Sequence, residues 1–154
     1  NTMRKLILYL FLLIATACTS NQNNMRDFTY AGNIPVVGDT INNEVVHFII
    51  DSGAGISLIN TEYYVNNKDL FRTLEEVEMM LFGISGVADY RTSNTVRLKT
   101  SLGYYTFQDS DLSPVIKKAN SSGYNVIGLI GSDILKDNYV INYQTKQLLR
   151  SDLK

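Results

Sequence analysis

From about Met25 onward, apolar residues come in short runs broken by glycine, asparagine and polar pairs, a spacing that suits strands better than helices. Residues 34–37 and 40–41 read as strand. Asn42-Asn43 then supplies a tight turn, since asparagine tolerates positive φ. Residues 45–50 are β-branched and apolar, a buried strand by composition. Gly53 and Gly55 permit a sharp turn after Asp51, and residues 56–59 resume as strand. Residues 61–72 fit either a short helix or an irregular excursion. Residues 77–82 read as strand, and residues 92–98 alternate moderately, as a strand with one wet face does. Leu102-Gly103 turns the chain into a strand over 104–107. Residues 126–131 form a second apolar strand punctuated by glycine, and Ser132 or Asp133 is placed to cap a short helix through Lys136. Residues 139–142 and 147–149 close the chain as a hairpin. About eight short strands and one or two short helices predict an all-β fold, a small closed barrel.

Composition narrows the class. With 154 residues, 45% hydrophobic and 19% charged, the chain is one ordinary folded domain. The net charge is -1, the longest basic block is Lys117-Lys118, and no zinc-type spacing occurs, so nucleic acid is not an expected partner and no metal or cofactor is expected. Met3-Arg4-Lys5, the apolar run 6–14 and Ala15-Thr16-Ala17 together read as a secretory signal, too short to span a membrane. Cys18, the only cysteine, follows. It is either the lipidated first residue of a bacterial lipoprotein, with Ala15 where the processing box usually has Leu, or part of a signal peptide cut elsewhere. One cysteine makes no internal disulfide. The polar stretch 19–24 suits a flexible tether. The expected organisation is a signal peptide over 3–17, a lipidated cysteine and tether over 18–33, and a folded domain over 34–150, exported and anchored in the bacterial envelope.

The chemistry concentrates in Phe48-Ile49-Ile50-Asp51-Ser52-Gly53-Ala54, where an apolar strand runs into an acid followed by small residues. An unpaired buried carboxylate costs several kcal/mol, so an acid set at the end of a buried strand invites a use for it. A structural turn acid, hydrogen-bonded to nearby amides, is the plainer reading. His47, the only histidine, shares a strand face with Ile49 and Val45. It reads as a partly exposed or hydrogen-bonded residue rather than a catalyst. With no second histidine and no cysteine in the fold, triads of the serine or cysteine type and histidine metal sites lack their parts. The tyrosines, Tyr63-Tyr64 and Tyr104-Tyr105 among them, read as strand residues packed inward with their hydroxyls at the edge.

Three segments in order resemble the retropepsin-like, single-lobe aspartic protease family. The first is Asp51-Ser52-Gly53-Ala54 with its apolar lead-in. The second is Phe82-Gly83-Ile84-Ser85-Gly86, where the family has its flap. The third is Val126-Ile127-Gly128-Leu129-Ile130-Gly131, followed by a short helix and a returning strand. The resemblance implies that Asp51 is catalytic, with Ser52, Gly53 and Ala54 as its loop. It implies that 82–86 covers substrate with Ile84 at the tip, and that Gly128 and Gly131 let a strand pass close beneath the loop. The family's chemistry uses two carboxylates around one water, and this chain carries one such loop. Asp39 lies in Gly38-Asp39-Thr40-Ile41, which lacks the glycine of a second copy. A homodimer is therefore implied, with Asp51 of each chain on the two-fold axis and residues 147–150 available for pairing across the interface. Two functions follow: an endopeptidase acting on peptide or protein substrates, or a silent protease-like lipoprotein that binds peptides or other envelope proteins.

Overall fold

The computed structural model describes residues 25–82, 88–101 and 103–151. Ten strands follow in chain order: β1 (Met25–Ala31), β2 (Ile34–Ile41), β3 (Glu44–Ile50), β4 (Leu58–Asn60), β5 (Phe71–Phe82), β6 (Ala88–Thr100), β7 (Gly103–Ser110), β8 (Val126–Ile130), β9 (Tyr139–Asn142) and β10 (Gln147–Arg150). Three helices interrupt them: α1 (Thr61–Asn66), α2 (Ser113–Asn120) and α3 (Ser132–Asn138). A single 3-10 turn, Lys68–Leu70, follows α1. The fold is all-β, as its sequence pattern predicts.

The strands form one sheet in the order β5-β6-β7-β4-β8-β3-β2-β1-β10-β9. It is open rather than closed, because β5 and β9 end the order and are not paired with each other. The C-terminal hairpin extends the sheet beyond β1 instead of joining its far edge. β1 pairs with β2 on one side and β10 on the other, so Met25–Ala31 belongs to the domain and not to the tether. β10 is likewise held between β1 and β9. Residues 147–149 are paired on both edges, which leaves them no free edge for pairing across an interface. The free edge at this end belongs to β9.

Local chemistry accounts for the elements. Asn42 and Asn43 sit at φ 50 and 65, the left-handed pair that a two-residue hairpin turn needs between β2 and β3. β8 is buried at every position, which is why it reads as a continuous apolar run. Two cores lie on the two faces of β3 and β8. Phe48, Ile50 and Ile127 enter the larger one, where the rings of Phe48 and Phe107 stack at 5.5 Å. Ile49, Val126 and Leu129 enter the smaller one, beneath Ile116 and Ala119 of α2. Helix α2 has only two buried apolar residues and opens on Pro114, too weak a pattern to mark a helix in the sequence. Residues 61–72 resolve as α1, the 3-10 turn and the start of β5.

Candidate active site

Parallel pairing of β3 with β8 aligns Ile50 with Ile130, so both strands deliver the chain to the same end of the sheet. There β3 passes into the loop of residues 51–57. Its first residue and its middle are tied to β8 and α3. The Asp51 N–H donates to the Ile130 carbonyl at 3.0 Å, and the Ser132 N–H donates to the Ala54 carbonyl at 2.7 Å. Within the loop, Asp51 Oδ1 accepts the N–H groups of Gly53 and Ala54 at 3.0 and 3.2 Å. These contacts fix the carboxylate by one oxygen and leave Oδ2 without a hydrogen bond from any described residue. Asp51 is exposed, as are Ser52, Gly53 and Gly55, while Ala54 is half-buried. Asp51 of the single chain is therefore not the buried acid that its place after an apolar strand suggests. The loop projects past the end of β3 into solvent, and the cost of burying a charge does not arise there.

Glycine is required beneath this loop for steric reasons. A Cβ on Gly131 would lie 2.5 Å from the Ile56 carbonyl oxygen and 3.0 Å from that of Ala54. A Cβ on Gly128 would lie 2.5 Å from the Leu58 carbonyl oxygen, where β8 runs against β4. At Gly53 an added Cβ would come within 3.3 Å of Asp51 Oδ1.

Ser57 is a residue that sequence reasoning missed. It is buried, its Oγ donates to Asp133 Oδ1 at 2.7 Å, and the same Oγ accepts the Gly131 N–H at 2.8 Å. Its own N–H donates to Asp133 Oδ2 at 3.0 Å. One side chain thus joins the end of the loop to the junction of β8 and α3. The signal in the sequence is a lone hydroxyl between Ile56 and Leu58. The same contacts revise the role of Asp133. The N-cap of α3 is Gly131, with no side-chain cap bond, and Asp133 in the first turn spends its carboxylate chiefly on Ser57.

Other acids are accounted for elsewhere. Asp39 is buried in β2, accepting N–H groups from Thr40 and Ser101 and lying 3.9 Å from Arg26. Asp109 is buried in β7 and accepts from Ser93, Asn94 and Thr61. His47 is half-buried against Tyr124, with ring centroids 5.0 Å apart. Burial lowers its pKa from 6.5, partly offset by a hydrogen bond to the Asn125 backbone. Among the described residues no group of three His, Cys, Asp or Glu is placed to hold a metal ion. Phe82 ends β5. Gly83, Ile84, Ser85 and Gly86 lie outside the described residues, as does Cys18.

The arrangement is one carboxylate, held by the amides two and three residues on, in a loop strapped to a glycine-bearing strand. The sequence profile of the retroviral aspartyl protease family matches residues 31–140. The chain belongs to the retroviral aspartyl protease family. The match takes in the Asp51 loop, the β5–β6 hairpin and β8. In the solved structures, this family member is similar to a retropepsin-like aspartic protease from Rickettsia conorii, with 12% identity and a TM-score of 0.43. That match covers 82% of this chain and 86% of the other. It is also similar to the retroviral protease-like domain of Ddi1 from Leishmania major, with 17% identity and a TM-score of 0.39, covering 77% of this chain and 96% of the other. No curated protein sequence matches it.

Proposed function

We propose that this protein is an aspartic-type endopeptidase whose active unit is a homodimer, with Asp51 of each copy meeting across a two-fold axis. The observation that carries the reading is the state of Asp51. Its carboxylate is exposed at the end of a tethered loop, with one oxygen fixed by two amides and the other free. An isologous contact would bring two such carboxylates together from the same surface patch. Two acids a few Å apart share one proton and titrate as a pair. The ionised partner then takes a proton from an attacking water, while the protonated one polarises the scissile carbonyl. The amides of Gly53 and Ala54 hold the carboxylate, with Ser52 between them and Asp51 in the loop, and residues 82–86, where the family has its flap, cover an extended peptide.

The test is cleavage of a mixed peptide library by the wild type and by Asp51→Asn. We expect the variant to stay folded and dimeric while its rate falls by about 10²–10⁴-fold, the worth of a general acid–base group. Cleavage by Asp51→Asn at the wild-type rate would exclude the mechanism. No cleavage by a verified wild-type dimer would leave a silent peptide-binding member of the family.

We also propose that the chain is exported and held on a bacterial envelope membrane through lipid on Cys18. Support comes from the sequence alone: the basic start, the apolar run and the small residues that precede the cysteine. Metabolic labelling with a fatty acid, present in the wild type and absent in Cys18→Ser, is the expected result.

A further inference from the structure

Away from the Asp51 loop, at the root of the β5–β6 hairpin, lies a cleft of about 480 Å³ lined by Arg72, Arg97, Lys99, Tyr104 and Asp69, among others. Its charge arises from strand register. Arg72 of β5 stands opposite Arg97 of β6, and Lys99 stands opposite Tyr104 of β7. Opposed residues share a face, and residues two apart on one strand share it too. Three cations therefore project from one side of the sheet. Arg72, Arg97 and Lys99 are exposed, and none forms a hydrogen bond or ion pair with a described residue. Asp69 is the single acid in the lining. Like charges directly opposite each other on neighbouring strands are destabilising, and no ion pair with a described residue offsets the Arg72–Arg97 repulsion. The alternation that exposes Arg97 and Lys99 also buries Val96, Leu98 and Thr100, so the register cannot slip to separate the charges.

We propose that this cleft anchors an acidic, extended segment of a polypeptide substrate. The inference rests on the peptidase reading and assigns that enzyme a preference outside the bond it cuts. Arg97 and Lys99 are spaced by two strand residues, about 6.5–7 Å. An extended peptide with acids at alternate positions presents its carboxylates at the same pitch. Arg72 and Arg97, about 5 Å apart across the strands, bring two guanidinium forks to bear on one carboxylate. Tyr104, 66% exposed, offers a flat apolar face beside them. Further along β5, Glu75, opposite Thr95 and on the same face, ends the cationic stretch, leaving it too short for a nucleic-acid backbone and suited to a few acidic side chains.

The experiment is fluorescence anisotropy of a labelled peptide of alternating Glu and Ala, titrated with the full chain. The controls are a Gln-for-Glu peptide, inorganic phosphate as competitor, and the variants Arg97→Gln/Lys99→Gln and Asp51→Asn. We expect binding of the Glu peptide to weaken with salt and to fall roughly tenfold in the double charge variant, two exposed ion pairs being removed. Asp51→Asn should bind it like the wild type. An acidic extension on a cleavable neutral peptide should lower KM in the wild type, leave kcat unchanged, and have no effect in the double variant. Equal binding of the Gln peptide, unaltered affinity in the double variant, or displacement by phosphate at concentrations matching the peptide's own would overturn the proposal. Cleavage of the neutral peptide with no KM gain from the extension would overturn it and leave the peptidase reading intact. Charge-dependent binding with no cleavage by the wild type would overturn the peptidase reading alone and leave the acidic-peptide site standing.

Discussion

At the scale of single residues, the site depends on two atoms of space and one hydroxyl. Gly131 has φ -92 and ψ -177, a conformation open to any residue, so its requirement is purely steric. Gly131→Ala would push a methyl to 2.5 Å from the Ile56 oxygen, and we expect it to cost about 1–3 kcal/mol, read as a lower urea midpoint with unchanged slope. Ser57→Ala leaves the Gly131 N–H and one Asp133 oxygen without their partner, and should cost a comparable 1–3 kcal/mol, roughly the penalty for unmet buried hydrogen bonds. Asp51 was legible in the sequence because an acid after an apolar strand breaks the pattern. Ser57 was not, because one serine in a strand is ordinary until its partners, 74 and 76 residues away, are known. His47 gives a pH prediction. Burial lowers its folded pKa from 6.5, so between that lowered value and 6.5 the unfolded chain binds more protons than the folded one. Stability should therefore fall as the pH drops through 6.5 and level off below the folded value. Urea midpoints across this range should show the decline, and His47→Gln should flatten its contribution.

At the scale of elements, strands were the easier part. Buried strands such as β3 and β8 are written as apolar runs, and the Asn42-Asn43 turn is written as a local conformational preference. β1 was harder. Met25–Ala31 shows an irregular burial pattern, with only Phe28 and Ala31 fully inside, and it earns its place through main-chain pairing with β2 and β10. Pairing partners far along the chain leave no mark on a local window. Removing residues 25–31 should therefore do more than shorten a tether. It would strip the inner edge from β2 and β10 and open the larger core at Phe28. We expect a chain starting at Gly32 to be markedly destabilised and prone to aggregate, compared with one starting at Met25, by thermal melting and light scattering. Helix α2 was missed for a related reason, since two inward residues make too narrow an apolar stripe to stand out.

At the scale of the whole molecule, the open sheet replaces the closed barrel because the C-terminal hairpin turns outward along β1 rather than back toward β5. That choice also pairs residues 147–149 on both edges within the chain and leaves β9 as the outer edge at that end. If two copies make one site, specific activity per chain should fall on dilution in step with the loss of dimer measured by sedimentation, and a constant specific activity through that transition would count against a shared site. By itself, the sequence determined the strand-rich class, the single acid and its glycine-bearing loop, and the apolar strand that supports them. These are local properties, set by side-chain type, period and backbone freedom. Only the tertiary structure decided that Asp51 stands in solvent with one oxygen held, that Ser57 and Asp133 lock its loop, and that Arg72, Arg97 and Lys99 share one face. Each of those depends on register between distant strands, and register is fixed by the packing of the whole core rather than by any stretch of residues within it.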